Sequence, residues 1–369
     1  MKLFLVKLLI FLIPIAVLLL FPFTVFVLSG EFLSAQTVVR QQNESSQDIL
    51  YMSAFTGIND KSYKIFQTIV HDPEIAVFGR SRTLTFRSDF FKDGTAFYNA
   101  GVPMHKVSEL REFLANIPKE AKLKVILLDL SNFLTDERAP EETVRGGEML
   151  TGLKLFLVSG WREVYISYLN KKFSLSGLLR EKAILPSIGL NALIRHEGYR
   201  KDGSLSRGNA EEIKVIIEKV PNLIAQNLSG IVAGKPVASF DSTADPENLT
   251  EIGNFLEASR QRNVYVIGYF SPYAEEIYEK IQSLPGEYGD NIRKVPSQLR
   301  AVFSQHGYRF YDLRDLKAIG SSDKELYDPA HPTEKATLRL LVKLAENEPV
   351  LGGYVDVPEL RKRIVGEPY

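Results

Sequence analysis

Apolar positions along the chain follow two patterns. The first is a single long run, LFLVKLLIFLIPIAVLLLFPFTVFVL from Leu3 to Leu28, interrupted by one charge at Lys7. About 20 consecutive apolar residues cross a bilayer, and this run has no polar face of the kind a soluble surface helix shows. It is longer than the apolar centre of a cleavable signal, about 7–15 residues. Residues 1–30 are therefore expected to form a transmembrane anchor. Lys2 and Lys7 precede or open the run and Glu31 follows it. The positive-inside bias then puts the N-terminus in the cytoplasm and everything after the run outside. Pro14 and Pro22 lie within it, which a lipid-buried helix tolerates.

The second pattern is a series of short apolar runs: Ile75–Phe78, Ala96–Tyr98, Lys124–Leu130, Val264–Tyr269 and Tyr308–Tyr311. Most are continuous rather than alternating, which suits strands covered on both faces, as in a parallel sheet. Helical patterning falls between them at Lys61–Val70, Lys106–Asn116, Ala210–Val220, Glu247–Arg260 and Tyr273–Leu284. Strand–helix alternation predicts a doubly wound α/β domain over residues 56–350 with a five-stranded parallel sheet. Residues 135–205 break the rhythm and read as a helical insertion or cap. Residues 31–55 read as a juxtamembrane linker or loose helix, and residues 351–369 as a C-terminal tail after a last core helix at Thr333–Asn347.

Composition removes several classes of function. The 45 basic and 45 acidic side chains balance, so there is no basic surplus to attract nucleic acid. The chain has no cysteine, which excludes thiol catalysis, cysteine-ligated metals and disulfides. The histidines are scattered, without metal-ligand spacing, and neither G-x-x-x-x-G-K-[ST] nor G-x-G-x-x-G occurs. No metal or cofactor is expected.

The residues that can carry chemistry lie at the ends of these runs. Asp328-Pro329-Ala330-His331 places an acid three residues before an imidazole, ahead of the helix expected from Thr333. That is the orienter and base of a serine triad, or else an ordinary turn at a helix start. Gly79-Arg80-Ser81-Arg82 follows the first run. A serine leaving a parallel strand through a glycine stands where α/β sheets bind ligands, though it can equally cap a helix. Gly101 follows the second run and can offer its N–H to an oxyanion, or be a plain turn glycine. Arg80 and Arg82 flank the serine. They can hold an anionic or hydroxyl-rich substrate, or be solvated charges paired with Asp89 or Asp93.

Taken in order, Gly79–Arg82, Asn99-Ala100-Gly101 and Asp328–His331 resemble the SGNH (GDSL-like) hydrolases, in particular a membrane-anchored branch associated with polysaccharide O-acetylation. The resemblance implies a three-layer αβα sandwich of flavodoxin-like order. It also implies a catalytic triad of Ser81, His331 and Asp328, with Gly101 and Asn99 at the oxyanion site. Two departures stand out. Arg80 replaces the usual aspartate before the serine. The third family block, which supplies an asparagine, is represented only by Asp129 and Asn132 in an altered context. The expected function is an extracytoplasmic serine esterase or O-acyltransferase on a cell-surface or secreted glycan. The resemblance implies a polytopic membrane acyltransferase as partner. The altered third block keeps open an alternative, an inactive glycan-binding or scaffold component of an envelope assembly complex.

Overall fold

The computed structural model describes residues 2–54, 60–102, 104, 106–131, 133, 153, 156–184, 186–233 and 246–366. Strands among them are β1 (Leu50–Tyr51), β2 (Ile75–Phe78), β3 (Phe97–Asn99), β4 (Val125–Asp129), β5 (Ser187–Ile188), β6 (Glu197–Tyr199), β7 (Leu205–Arg207), β8 (Tyr265–Phe270) and β9 (Arg309–Asp312). They form two sheets, and the chain divides into two interleaved units.

The larger unit is built on five parallel strands in the order β3-β2-β4-β8-β9. Alternate residues of each strand enter different cores. Ile75, Val77, Val125, Leu127 and Ile267 belong to one, and Ala76, Phe78, Ile126, Leu128 and Val266 to the other. A pleated strand covered on both faces must be apolar at every position. This is why the runs in the sequence are continuous. Each fully buried Ile, Leu, Val or Phe contributes roughly 1.5–3 kcal/mol relative to exposure.

Parallel strands need long crossovers, which helices supply. The helix Val107–Asn116 buries Val107, Leu110, Phe113 and Leu114, and Glu109 accepts the Lys106 N–H at 3.1 Å to close its first turn. The helix Glu334–Asn347 buries Leu338, Leu341 and Leu344, and Thr333 caps it. The helix Val357–Gly366 brings Leu360 and Ile364 into the same core as that helix. The described part of the expected tail, residues 351–366, thus packs into this core. Counted from β2, the strand order is 2-1-3-4-5. Such a sheet binds ligands beyond the carboxyl ends of its strands where the order reverses, here between β2 and β4.

The smaller unit comprises Met1–Tyr63, Glu142–Lys201 and Leu205–Gly208. Its sheet has the order β5-β1-β6-β7, with β1 parallel to β5 and antiparallel to β6. Residues 31–55, expected as a linker or loose helix, hold the helix Ala35–Glu44, capped by Ser34, and the buried strand β1. Of the described residues in 135–205, those up to Lys201 and Leu205 group with the N-terminal segment, while Asp202–Ser204 group with the five-stranded sheet. One cluster joins Val25 and Phe26 of the N-terminal helix Lys2–Ser29 to Phe156, Val164, Leu178, Leu190 and Leu193. Strands of two or three residues are too short to announce a period, so sequence patterning could not reveal this sheet.

Candidate active site

Ser81 follows β2 by way of Gly79 and opens a 3-10 turn, Ser81–Thr83. The turn is held by Arg80, whose carbonyl accepts the Thr83 N–H at 3.1 Å and the Thr83 hydroxyl at 2.9 Å. Gly79 is required by close approach: a Cβ there would lie 2.5 Å from Thr83 Cγ2 and 3.0 Å from Asp129 Cβ. The strand exit is thereby pressed against the end of β4, and Ser81 is left half-buried.

His331 arrives on a tight loop. Leu326 and Pro332 form an antiparallel bridge, and the Tyr327 N–H donates to the His331 carbonyl at 2.8 Å. Asp328 folds back inside this loop. Its Oδ1 accepts the N–H groups of Ala330 and His331 at 2.8 and 3.0 Å, an Asx turn. Its Oδ2 lies 2.7 Å from His331 Nδ1, and His331 Nε2 lies 2.8 Å from Ser81 Oγ. Three side chains separated by 250 residues of sequence thus form one chain of hydrogen bonds.

Charge fixes the direction of that chain. Burial pushes the Asp328 carboxyl up. The hydrogen bond and charge of His331, with the two backbone donors, outweigh burial and hold it well below the usual carboxylate range. An ionised carboxylate only accepts hydrogen bonds. The proton between Asp328 and His331 is therefore assigned to Nδ1, which leaves Nε2 to accept from the Ser81 hydroxyl.

The other expected site residues fall differently. Asn99 is buried and fully used within the fold: its Nδ2 donates to the carbonyls of Thr83 and Phe86 at 2.8 and 2.9 Å. Its Oδ1 accepts the Gly101 N–H at 3.0 Å, so that amide is already engaged and can serve an oxyanion only by sharing. Gly101 is also sterically obligatory, since a Cβ would meet Thr83 Oγ1 at 2.2 Å. Asn132 lies outside the described residues. Arg80 stands half-buried beside Ser81.

Arg82 is not a solvated charge. It is 1% exposed. Its Nε donates to the Ala330 carbonyl at 2.7 Å, next to His331. Its Nη2 donates to the carbonyls of Ser271, at 3.1 Å, and Pro272. The guanidinium lies 4.0 Å over the Tyr273 ring, a cation–π contact. Tyr273 therefore packs beneath Arg82 and is buried.

Two further polar clusters brace the strand ends. Asp129, at the end of β4, accepts from the Ser131 N–H at 2.9 Å and the Ser271 hydroxyl at 2.6 Å. Buried Lys64 donates to the carbonyls of Asn99 and Gly203 at 2.9 and 2.5 Å. Asp202 accepts from Ser88 and Ser204 N–H groups at 2.7 and 2.9 Å, and its own carbonyl receives the Asn99 N–H at 2.8 Å. Asp202-Gly203 is a turn bonded to the end of β3. An aspartate closing the run VILLD was a legible hint of the first cluster. Nothing in the sequence marks Lys64.

No family model, curated protein or solved structure matches the chain, so a functional reading rests on this geometry.

Proposed function

We propose that the chain is a membrane-anchored serine esterase or O-acyltransferase of the SGNH type, acting outside the membrane on acyl groups, foremost acetyl, of a cell-surface or secreted glycan. The observation that carries the proposal is the continuous chain Ser81 Oγ to His331 Nε2 at 2.8 Å and His331 Nδ1 to Asp328 Oδ2 at 2.7 Å. The 2-1-3-4-5 order of the parallel sheet, with apolar cores on both faces, supports the three-layer αβα fold of that group. The N-terminal helix Lys2–Ser29, long and apolar enough to cross a bilayer, supports the anchor.

In this reading Ser81 Oγ attacks the acyl carbonyl and passes its proton to His331 Nε2. Asp328 stabilises the imidazolium without taking the proton. The leaving alkoxide takes the proton from Nε2 and departs as an alcohol, which leaves an acyl ester on Ser81. Water or a sugar hydroxyl then gives its proton to Nε2, attacks the ester and carries the acyl group away, and Nε2 returns that proton to the departing Ser81 Oγ, restoring the free enzyme. The first amides of a helical turn have no acceptor within it. The Ser81 N–H thus leads as oxyanion donor, with Gly101 N–H sharing. Preorganised donors of this kind are each worth about 10²–10³ in rate.

The test uses the full chain in detergent micelles. A fluorophosphonate probe is expected to label Ser81, identified by peptide mass spectrometry, and the protein to hydrolyse an activated acetyl ester. Ser81→Ala should lose both. Folded wild-type protein that shows neither activity would refute the proposal.

A further inference from the structure

The N-terminal helix does not leave the smaller unit as a bare stalk. Tyr165, on the helix Trp161–Leu169, donates its hydroxyl to the Leu18 carbonyl at 2.6 Å. In an unbroken helix that carbonyl would accept from the amide four residues on, but residue 22 is proline and has no N–H. Tyr165 therefore satisfies the group that Pro22 orphans. The rings of Tyr165 and Tyr168 stand 5.5 and 5.0 Å from that of Phe21. Phe156 stands 5.9 and 5.2 Å from Phe23 and Phe26.

These contacts have a definite height on the helix. From Leu3 to Phe21 an α-helix rises about 27 Å, close to the ~30 Å of hydrocarbon in a bilayer. Below that level Phe4, Phe11, Leu12, Ile13 and Ile15 are exposed. Above it one face, with Val25 and Phe26, is buried in protein, while Phe23 and Val27 stay exposed. The helix Trp161–Leu169 thus meets the N-terminal helix where the hydrocarbon ends.

This region also exposes apolar side chains of its own. Val158 and Leu169 are each 74% exposed, Leu157 56%, and Ile166 40%. Arg162, Ile166 and Leu169 recur at helical spacing and share a face of the helix Trp161–Leu169, whereas Glu163 and Ser167 occupy another; Leu157 and Val158 lie in the π-helical turn just before it. Arg162, Lys171 and Lys172 are exposed beside them. Tyr168, Leu169, Lys171, Phe173 and Ser174 line a groove of about 520 Å³ at the end of this helix. Aromatic rings, exposed aliphatic groups and basic side chains on one short element are the composition of a helix lying in a membrane interface. A contiguous exposed apolar patch on a folded surface marks a contact site.

We propose that the segment Phe156–Leu179 is an interfacial foot resting in the outer boundary of the bilayer that the N-terminal helix crosses. Leu157, Val158, Ile166 and Leu169 enter the acyl region. Arg162, Lys171 and Lys172 meet the lipid phosphates. The inference rests on the reading of Lys2–Ser29 as a membrane-crossing helix. It adds a second, laterally extended contact, continuous with that helix, which holds the smaller unit down against the lipid.

The chain has no cysteine, so single labels can be placed at will. Full-length Val158→Cys, Leu169→Cys, Glu163→Cys and Phe11→Cys variants, each carrying an environment-sensitive fluorophore, are reconstituted into vesicles of phosphatidylethanolamine and phosphatidylglycerol. Each is titrated with aqueous iodide and, separately, with nitroxide-bearing lipid. Labels at Val158 and Leu169 are expected to be quenched several-fold more by the lipid nitroxide than by iodide, and the Glu163 label to show the reverse. If the Phe11 label answers to the lipid while Val158 and Leu169 answer to iodide, the helix crosses and the foot does not exist. A Phe11 label open to iodide removes the crossing helix and the foot together. Labels at Val158 and Leu169 shielded from both quenchers mean that a second copy of the chain covers the patch, which also overturns the proposal. All but Phe11 lie on the exposed surface of this segment, so the substitutions leave its core intact.

Discussion

Asp328 does two jobs with two oxygens. Oδ1 closes the turn that carries His331, and Oδ2 holds the imidazole by its Nδ1. Asp328→Asn keeps an oxygen for the turn but can present an N–H to Nδ1, which favours the wrong tautomer. The expected loss in kcat is about 10⁴-fold, measured on an activated acetyl ester with folding checked by circular dichroism. The carboxyl is held below its ordinary range, so an acidic limb in the rate profile should belong to some other group. The sign for stability follows the same way. A carboxylate whose folded pKa lies below its unfolded value of about 3.9 adds stability above about pH 4, and loses it as pH falls through the folded value. The stability that Asp328 contributes over Asp328→Ala should therefore shrink as pH falls below about 4. Partial exposure of Asp328, at 36%, keeps that contribution small.

Among elements, the turns after β2 and β3 matter most because they are packed on each other. A Cβ at Gly101 would fall 2.2 Å from Thr83 Oγ1. Gly101→Ala is expected to destabilise the protein by roughly 1–3 kcal/mol through overpacking. Thr83→Ala removes the clashing atom and one hydrogen bond to the Arg80 carbonyl, which costs about 1 kcal/mol alone. The double variant should cost less than the two single changes added, because the residues share one contact. Urea unfolding of the four proteins reads this, and additive costs would show that the contact is not what constrains Gly101. This pair also marks how far the sequence could be read. The five runs of the parallel sheet were visible because burial on both faces demands continuous apolar residues. Asp328 and His331 were visible because their spacing is local. The Asn99–Gly101 bond spans only two residues, yet the motif that singles out Gly101 as a free donor hides it. An amide's partner depends on side-chain conformation, which spacing does not encode.

At the scale of the whole molecule, the triad depends on holding segments together that are remote in sequence, and Arg82 does this within the larger unit. Its partners lie 189, 190 and 248 residues away. All are backbone carbonyls, which any sequence supplies at every position, so a charged residue beside the serine gave no hint of burial. The smaller unit escaped reading for a related reason, since it assembles from three separate stretches with strands of two or three residues. The clamp has a measurable consequence. Removing the guanidinium leaves buried carbonyls of Ser271, Pro272 and Ala330 without this donor, at roughly 1–3 kcal/mol for each that stays unsatisfied. It also frees the loop that sets the height of His331 against Ser81. A misplacement of about 1 Å can cost 10²-fold in rate. Arg82→Lys restores a charge but not the planar fork that reaches two directions at once. Both Arg82→Ala and Arg82→Lys should therefore lower kcat by about 10²-fold or more while leaving KM nearly unchanged. Fluorophosphonate labelling of Ser81 should slow in parallel. A purely structural arginine would instead lower the fraction of folded protein and leave the rate per labelled site intact. Active-site titration separates the two, and a fully active Arg82→Lys would show that the triad does not need the clamp.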